Sequence, residues 1–166
     1  STFPLVIHAG SKEALKSGQK YIIYSFVGAT FIVLGMIILF SISGNMNFEG
    51  GGIAGIINHP DKTLLLISFL AMFVGFGVKA AMVPFHSWLP AAMVAPTPVS
   101  ALLHAVAVVK SGIFALTRVI YYIYGPVLIG RLNGDTYVIP LIIATIVMGS
   151  LLALHQDHLK KRLAYS

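Results

Sequence analysis

The stretch that decides the fold is VKAAMVPFHSWLP, which occupies residues 78–90. It is mostly apolar, yet Pro84 and Pro90 bracket its second half. Each proline lacks a backbone N–H and clashes with the turn before it, so a straight helix cannot run through this stretch. Apolar but broken backbone is tolerated at membrane depth only where other protein buries it or where it lines a watery cavity. The stretch therefore predicts a discontinuous transmembrane helix, in which residues 82–90 do not continue the helix of residues 63–81.

The surrounding sequence has the composition of a membrane protein. Of its 166 residues, 57% are hydrophobic and only 10% are charged, which is too little polar surface to cover a soluble globule. A helix needs roughly 20 apolar residues to cross about 30 Å of hydrocarbon. Four runs come near that length: residues 21–43, residues 63–83 with a broken continuation to 93, residues 97–124 and residues 137–154. We therefore predict an all-α, polytopic transmembrane helix bundle that forms a single module over residues 1–166.

Basic residues are distributed unequally between the ends of these runs. Four crossings place both chain ends on one side of the membrane, and that side carries Lys12, Lys16, Lys20, Lys160, Lys161 and Arg162. The loops of the other side carry Lys62 and Arg131. The positive-inside rule therefore predicts that both ends are cytoplasmic, in a multi-pass protein of the cell membrane or another energy-converting membrane. Because these residues form no patch interleaved with aromatics, we expect the lipid bilayer and no nucleic acid as a partner.

The chain contains no cysteine. That excludes disulfides, thiolate zinc sites, iron–sulfur ligation and c-type haem attachment within these residues. His155 and His158 lie three residues apart and could share a metal on a helix, but the sequence offers no evident third ligand. We therefore expect no metal and no cofactor here. Any redox chemistry would belong to a partner, so the sequence leaves open whether the chain is part of an enzyme.

Lys110 is the strongest single functional signal. It lies near the middle of the run 97–124, too far from either end for its side chain to reach water. An ionised ammonium is costly at that depth, so Lys110 must face a hydrated cavity, pair with a carboxylate or release its proton. Desolvation favours the neutral amine, and a lysine that changes its charge can carry a proton. The alternative is a permanent structural ion pair.

Lys79 stands just before the predicted break. If the helix ended near Pro84, the ammonium of Lys79 could reach the interface by snorkelling and need have no function. The apolar character of the proline-bracketed segment favours a function, because it implies that the membrane continues past Lys79. Broken helix ends also expose carbonyl groups that can bind a cation or an ammonium.

Two histidines are further candidates. His104 precedes Lys110 by six residues, which is about 9 Å along a helix and roughly 120° round it. Because histidine titrates near neutral pH, a water-linked relay could join the two side chains. The alternative is a buried neutral histidine that donates to a carbonyl group. His86 lies between Pro84 and Pro90, and we interpret these three residues as the structural break itself, with His86 as a brace.

An aromatic group marks the end of the third run. Arg118 lies within two turns of Tyr121, Tyr122 and Tyr124. Arginine side chains snorkel and tyrosine rings gather at headgroup level, so this group predicts an interfacial aromatic belt.

The break and the residues after it also carry a resemblance to a known family. The segments VKAAMVPFHSWLP (78–90), APTPVSALLHA (95–105) and QDHLKKRLAYS (156–166) are similar to the antiporter-like family of membrane subunits. That family comprises the large membrane subunits of respiratory complex I, the Mrp-type multisubunit sodium/proton antiporters and the membrane modules of membrane-bound hydrogenases. The resemblance implies a fourteen-helix subunit made of two inverted five-helix repeats. This chain, which opens at Ser1 without an initiator methionine, would be an internal piece from the sixth helix to the start of the tenth.

The resemblance also implies roles for individual residues. Lys79 matches the lysine of the first broken helix, the proposed proton-pumping site, while His104 and Lys110 match residues of the central hydrophilic axis. The pair of His104 and Lys110 is more similar to the Mrp large subunits and the hydrogenase modules than to the large complex I subunit. Ala91 stands where many members have an aspartate. The family's glutamate that would pair with Lys79 is on a helix outside these residues, so the carboxylates of the relay would come from elsewhere.

These observations predict a function in ion transport. We expect proton or sodium/proton translocation by a membrane subunit of a multisubunit complex, with Lys79, His104 and Lys110 as a buried relay. The expected partners are other membrane subunits, the lipid bilayer, and protons or sodium ions. The alternative is a structural membrane scaffold whose buried charges are fixed ion pairs.

Overall fold

Four long helices dominate the computed structural model, which describes residues 3–8, 10–57 and 60–166. They are long and apolar enough to cross a membrane, and we call them the first to fourth spans: Lys12–Ser43, Lys62–Lys79, Thr97–Tyr124 and Gly134–Leu154. Short helices lie before, between and after them: Phe3–Val6, Ala54–Ile57, Trp88–Ala92, Pro126–Arg131 and Leu159–Tyr165. The prediction of an all-α, polytopic transmembrane bundle is confirmed.

The first span begins and ends with standard capping groups. The hydroxyl oxygen of Ser11 accepts a hydrogen bond from the N–H of Ala14 at 3.1 Å. At the other end, Gly44 adopts a left-handed conformation with φ 61° and donates its N–H to the carbonyl of Phe40. Both groups satisfy backbone atoms that a helix terminus leaves without a partner. At 32 residues this helix is about 48 Å long, so it extends beyond the hydrocarbon layer.

The first and second spans pack against each other in antiparallel directions through small residues. A Cβ atom added to Gly75 would lie 2.7 Å from the carbonyl oxygen of Gly28. One added to Gly35 would lie 2.9 Å from the carbonyl oxygen of Ser68. Membrane helices approach closely at such residues, because lipid gives them no hydrophobic reason to associate and contact must come from packing. These two contacts fix the relative depth of the two spans.

The second span ends at Lys79 in a Schellman motif built around Ala81. The N–H of Met82 donates to the carbonyl of Gly77 at 2.9 Å, and the N–H of Ala81 donates to that of Val78 at 3.1 Å. Ala81 itself has φ 58°, a left-handed conformation that glycine usually supplies in this motif. The predicted discontinuity of the helix is therefore confirmed.

Residues 80–96, which we call the broken segment, return the chain towards the third span. They contain a 3₁₀ turn at Phe85–Ser87 and the short helix Trp88–Ala92. The indole N–H of Trp88 also donates to the carbonyl of Val78, at 2.9 Å, so a side chain adds a second hydrogen bond to this helix end. Trp88 is buried and its ring lies 5.5 Å from that of Tyr21.

At the opposite end of the bundle, the loop after the first span and the end of the third span are joined by backbone contacts. The N–H groups of Glu49 and Ile53, in the loop after the first span, donate to the carbonyls of Tyr122 and Ile123 at 3.1 and 2.9 Å. Gly125 follows the third span with φ 74°, and a Cβ atom there would run into the carbonyl oxygen of Gly51. Only glycine therefore fits this crossing of two backbones.

Candidate functional site

Lys79 is the last residue of the second span, and its side chain is exposed. It lines a cavity of about 50 Å³ between the first and second spans. Ser25, Gly28, Ala29, Ile32, Gly75, Val78, Trp88 and Val108 are the other residues that line it. A space of this size exceeds the roughly 10–15 Å³ that a cavity needs to hold one water. An ammonium or amine of Lys79 can thus meet water beside the broken segment.

His104 lies on a π-turn of the third span, Leu102–Val106. The N–H of Ala107 donates to the carbonyl of Leu102 at 3.0 Å, five residues back. Such widened turns appear mostly as single turns in helices, frequently at functional sites. The imidazole is half-buried, and its Nδ1 atom is fully buried without a hydrogen-bond partner among the described residues. A buried nitrogen of this kind calls for a water or a further polar group.

Lys110 lies on the regular part of the third span, Val108–Arg118. Gly112 marks where this helix crosses the end of the second span, because a Cβ atom there would lie 3.0 Å from the carbonyl carbon of Lys79 and 2.7 Å from the nitrogen of Ala80. Lys110 comes two residues before Gly112, about 200° away round the helix. Its exposed side chain therefore leaves on the face away from this crossing. The helices that carry Lys79 and Lys110 are therefore in backbone contact, but the side chains of the two lysines do not lie on one face.

The three residues of the break occupy different environments. Pro84 is exposed just before the 3₁₀ turn, and Pro90 is buried in the short helix that follows. His86 lies in the turn, half-buried, with its ring 6.0 Å from that of Tyr165. Its buried Nδ1 atom, like that of His104, has no hydrogen-bond partner in the described part of the chain.

Side chains from three other elements hold the broken segment. The hydrogen bonds are Tyr24 Oη to Ser87 Oγ (3.0 Å), Val83 N–H to Thr145 Oγ1 (3.1 Å) and Lys160 Nζ to the carbonyl of Ala95 (3.4 Å). They come from the first span, the fourth span and the C-terminal helix. Sequence reasoning missed all three, since each pair is separated by more than sixty residues and no local pattern links them.

The arrangement defines a class of protein: a multi-pass membrane protein in which a lysine stands at the end of a discontinuous helix. The chain belongs to the family described as NADH:quinone oxidoreductase/Mrp antiporter, TM, whose model matches residues 1–166. The resemblance stated from the sequence is thereby confirmed.

Relatives and solved structures agree with this family. The chain is 41% identical over 150 residues to "Putative antiporter subunit mnhA2" of Staphylococcus aureus strain MRSA252, covering 89% of this chain and 18% of that protein. A chain of the archaeal membrane-bound sulfane sulfur reductase is 26% identical with a TM-score of 0.85, over 99% of this chain and 33% of that one. A chain of Thermus thermophilus respiratory complex I is 25% identical with a TM-score of 0.73, over 98% and 33%. The chain thus spans less than a fifth of this curated relative and a third of the structural neighbours.

Proposed function

We propose that this chain supplies part of the ion pathway of a larger membrane subunit, which moves protons, or protons in exchange for sodium, across the bilayer. Lys79, His104 and Lys110 would form the relay. The relatives are an antiporter subunit and chains of two respiratory membrane complexes, which supports a place among other membrane subunits of a multisubunit complex. Both ends of the chain would face the cytoplasm, as the basic residues predict.

The place of Lys79 is the observation that carries the proposal. Gly75 lies against Gly28, so Lys79, one turn further on, lies level with residues 24–25 of the first span. That level is inside the charge-free run 21–43, on the half nearer the chain ends. A titratable group inside this run, beside broken backbone and a cavity with room for water, supports a functional site.

The proton transfer itself needs only the side chains and water. A neutral amine of Lys79 or Lys110 accepts a proton from a hydronium ion, which becomes water, and the resulting ammonium later gives the proton to a water on the other side, which becomes hydronium. His104 can do the same through its unpartnered Nδ1 atom, because a neutral imidazole nitrogen can accept a proton and an imidazolium N–H can donate it. Each group must be able to exist in both charge states, which excludes arginine as a substitute.

The rival function is a scaffold whose lysines are held in fixed ion pairs. Among the described residues, neither Lys79 nor Lys110 lies in an ion pair. The chain's five carboxylates lie in loops or in the first turn of a helix: Glu13, Glu49, Asp61, Asp135 and Asp157. A fixed pair would therefore need a carboxylate from another part of the subunit.

The test is to change the lysines in the native membrane complex and reconstitute it in vesicles. Lys79→Ala and Lys110→Ala should each lower proton flux, followed with a pH-sensitive dye, about a hundredfold, as loss of a positioned proton carrier typically does. The amount of assembled complex should stay near that of the wild type, and a sodium tracer identifies whether sodium moves. Lys62→Ala, at the start of the second span, is the matched control and should leave flux unchanged.

Arginine at position 110 separates the two functions. A guanidinium stays protonated, so Lys110→Arg should be as inactive as Lys110→Ala if the lysine exchanges protons. Full flux in the arginine variant, or loss of assembly in both variants with residual complexes fully active, would instead favour the scaffold with its fixed charges.

A further inference from the structure

Ser25 and Lys79 line the same cavity at one depth of the bundle. The first and second spans are antiparallel and cross where Gly28 meets Gly75. Ser25 comes three residues before Gly28, about 4.5 Å towards the chain ends, and Lys79 comes four residues after Gly75, about 6 Å in the same direction. The two Cα atoms therefore lie at nearly the same level, and both residues, each exposed in the bundle, line the same cavity of about 50 Å³.

The hydroxyl of Ser25 differs from most other hydroxyls of the spans. Serine and threonine in a helix usually bond back to a carbonyl of the preceding turn. In this bundle Thr30, Ser41, Ser111, Thr117, Thr145 and Ser150 do so, at 2.7–3.0 Å. Ser25 makes no such bond and has no hydrogen-bond partner in the described part of the chain, and the same holds for the nitrogen of Lys79. Two unpartnered polar groups thus share one small cavity.

We propose that Ser25 is a positioning residue for Lys79, acting on its nitrogen directly or through a water in the cavity. The inference rests on the proposed function and adds a residue to it. A hydroxyl can accept a hydrogen bond from an ammonium and can donate one to a neutral amine. Ser25 therefore serves Lys79 in both charge states, whereas a carboxylate would hold the ammonium alone. The role requires a hydroxyl in this cavity.

The experiment compares variants of the first span in the reconstituted native complex. Ser25→Ala should lower proton flux about tenfold while the amount of assembled complex stays unchanged, because a hydrogen bond to a charged group is lost. Ser25→Thr keeps the hydroxyl and should restore flux. Ser41→Ala is the matched control, since its hydroxyl bonds to the carbonyl of Ile38 at 2.7 Å, outside the cavity. It should behave as the wild type.

A transplant of the hydroxyl sharpens the test. Ala29 lines the same cavity one turn further along the first span. The double variant Ser25→Ala with Ala29→Ser should recover part of the lost flux if a cavity hydroxyl is what matters. Should Ser25→Ala reduce the amount of complex, Ser25→Cys takes its place, because a thiol keeps the volume but is only a weak hydrogen-bond donor.

The outcomes separate this inference from the proposed function. Wild-type flux in Ser25→Ala, or an equal loss in Ser25→Ala and Ser41→Ala, overturns the role of Ser25. If Lys79→Ala also retains flux, the proposed function fails as well. If Lys79→Ala is inactive and Ser25→Ala is fully active, the inference alone is wrong.

Discussion

The two ends of the bundle are stabilised in different ways. At the end that carries residues 44–57, two backbone segments are in direct contact. At the end that carries the chain termini, side-chain hydrogen bonds stabilise the broken segment. The first end is closed by amide hydrogen bonds and by glycines that admit no Cβ atom. The second is held by a tryptophan, a tyrosine, a threonine and a lysine, each of which makes one hydrogen bond to the broken segment or the helix end before it. A backbone contact is fixed by the path of the chain, whereas a side-chain contact can be removed by a single substitution. Lys79, the candidate relay residue of the second span, lies at the end that side chains hold.

The largest effect is expected where the backbones cross. Gly125→Ala would place a Cβ atom on the carbonyl oxygen of Gly51 and would also force alanine into φ 74°. We expect a loss of at least about 3 kcal/mol of folding stability, enough to prevent accumulation of the protein. Expression and thermal unfolding in detergent measure it. Gly130→Ala is the control, because a Cβ atom there meets nothing within 4 Å. Equal stability of the two variants would refute the backbone crossing.

At the other end, Trp88→Phe keeps an aromatic ring but removes the donor to the carbonyl of Val78. The carbonyl keeps its hydrogen bond from the N–H of Ala81, so the change should cost about 1–2 kcal/mol, from one lost hydrogen bond and a smaller buried ring. Because this carbonyl belongs to the end of the helix that carries Lys79, we expect flux per assembled complex to fall more than the amount of complex. An assembly defect with unchanged flux per complex would show that Trp88 is merely a packing residue. Native gels and vesicle flux together give the two quantities.

The prolines predicted the break, but the sequence could not show how the helix ends. Pro84 and Pro90 exclude a continuous helix by covalent geometry alone. The end at Lys79 depends on the left-handed conformation of Ala81 and on the hydrogen bond from the indole of Trp88. Alanine does not favour a left-handed conformation, so both features depend on tertiary packing. The π-turn at His104 has no sequence signal that we can name. The role of Lys79, His104 and Lys110 stays a prediction.

Tyr124 shows the same limit. The sequence placed it in an aromatic belt with Tyr121 and Tyr122, and this was wrong for Tyr124, which is fully buried. Its hydroxyl lies 2.6 Å from the hydroxyl of Ser68, which donates to the carbonyl of Gly35 at 2.7 Å. Three spans therefore meet at one polar contact. Neighbouring tyrosines look alike in sequence, and only the packing of the helices decides which one turns inward.

The contact between Tyr124 and Ser68 gives a smaller prediction, for the end of the bundle where the backbones are in contact. Tyr124→Phe removes one hydrogen bond, but Ser68 keeps its bond to the carbonyl of Gly35. We expect a loss of about 1 kcal/mol in stability and little change in flux. Tyr121→Phe is the matched control, because Tyr121 is 55% exposed and should lose nothing. A strong loss of flux in Tyr124→Phe would extend the functional region to this end of the bundle.

The smallest expected change in stability concerns Ala81, where two effects oppose each other. A residue other than glycine in the left-handed conformation costs roughly 1–2 kcal/mol, which Ala81→Gly removes. The same change gives the unfolded chain more freedom and costs about 0.4–1 kcal/mol. Because the relief of strain exceeds this entropic cost, Ala81→Gly should stabilise the protein by roughly 0.5–1 kcal/mol. Ala80→Gly is the control, because Ala80 has φ −77° and no strain to remove, so only the cost remains. Thermal unfolding in detergent should therefore shift in opposite directions for the two neighbouring alanines. Destabilisation by both would mean that the left-handed turn at Ala81 is not the conformation that ends the second span.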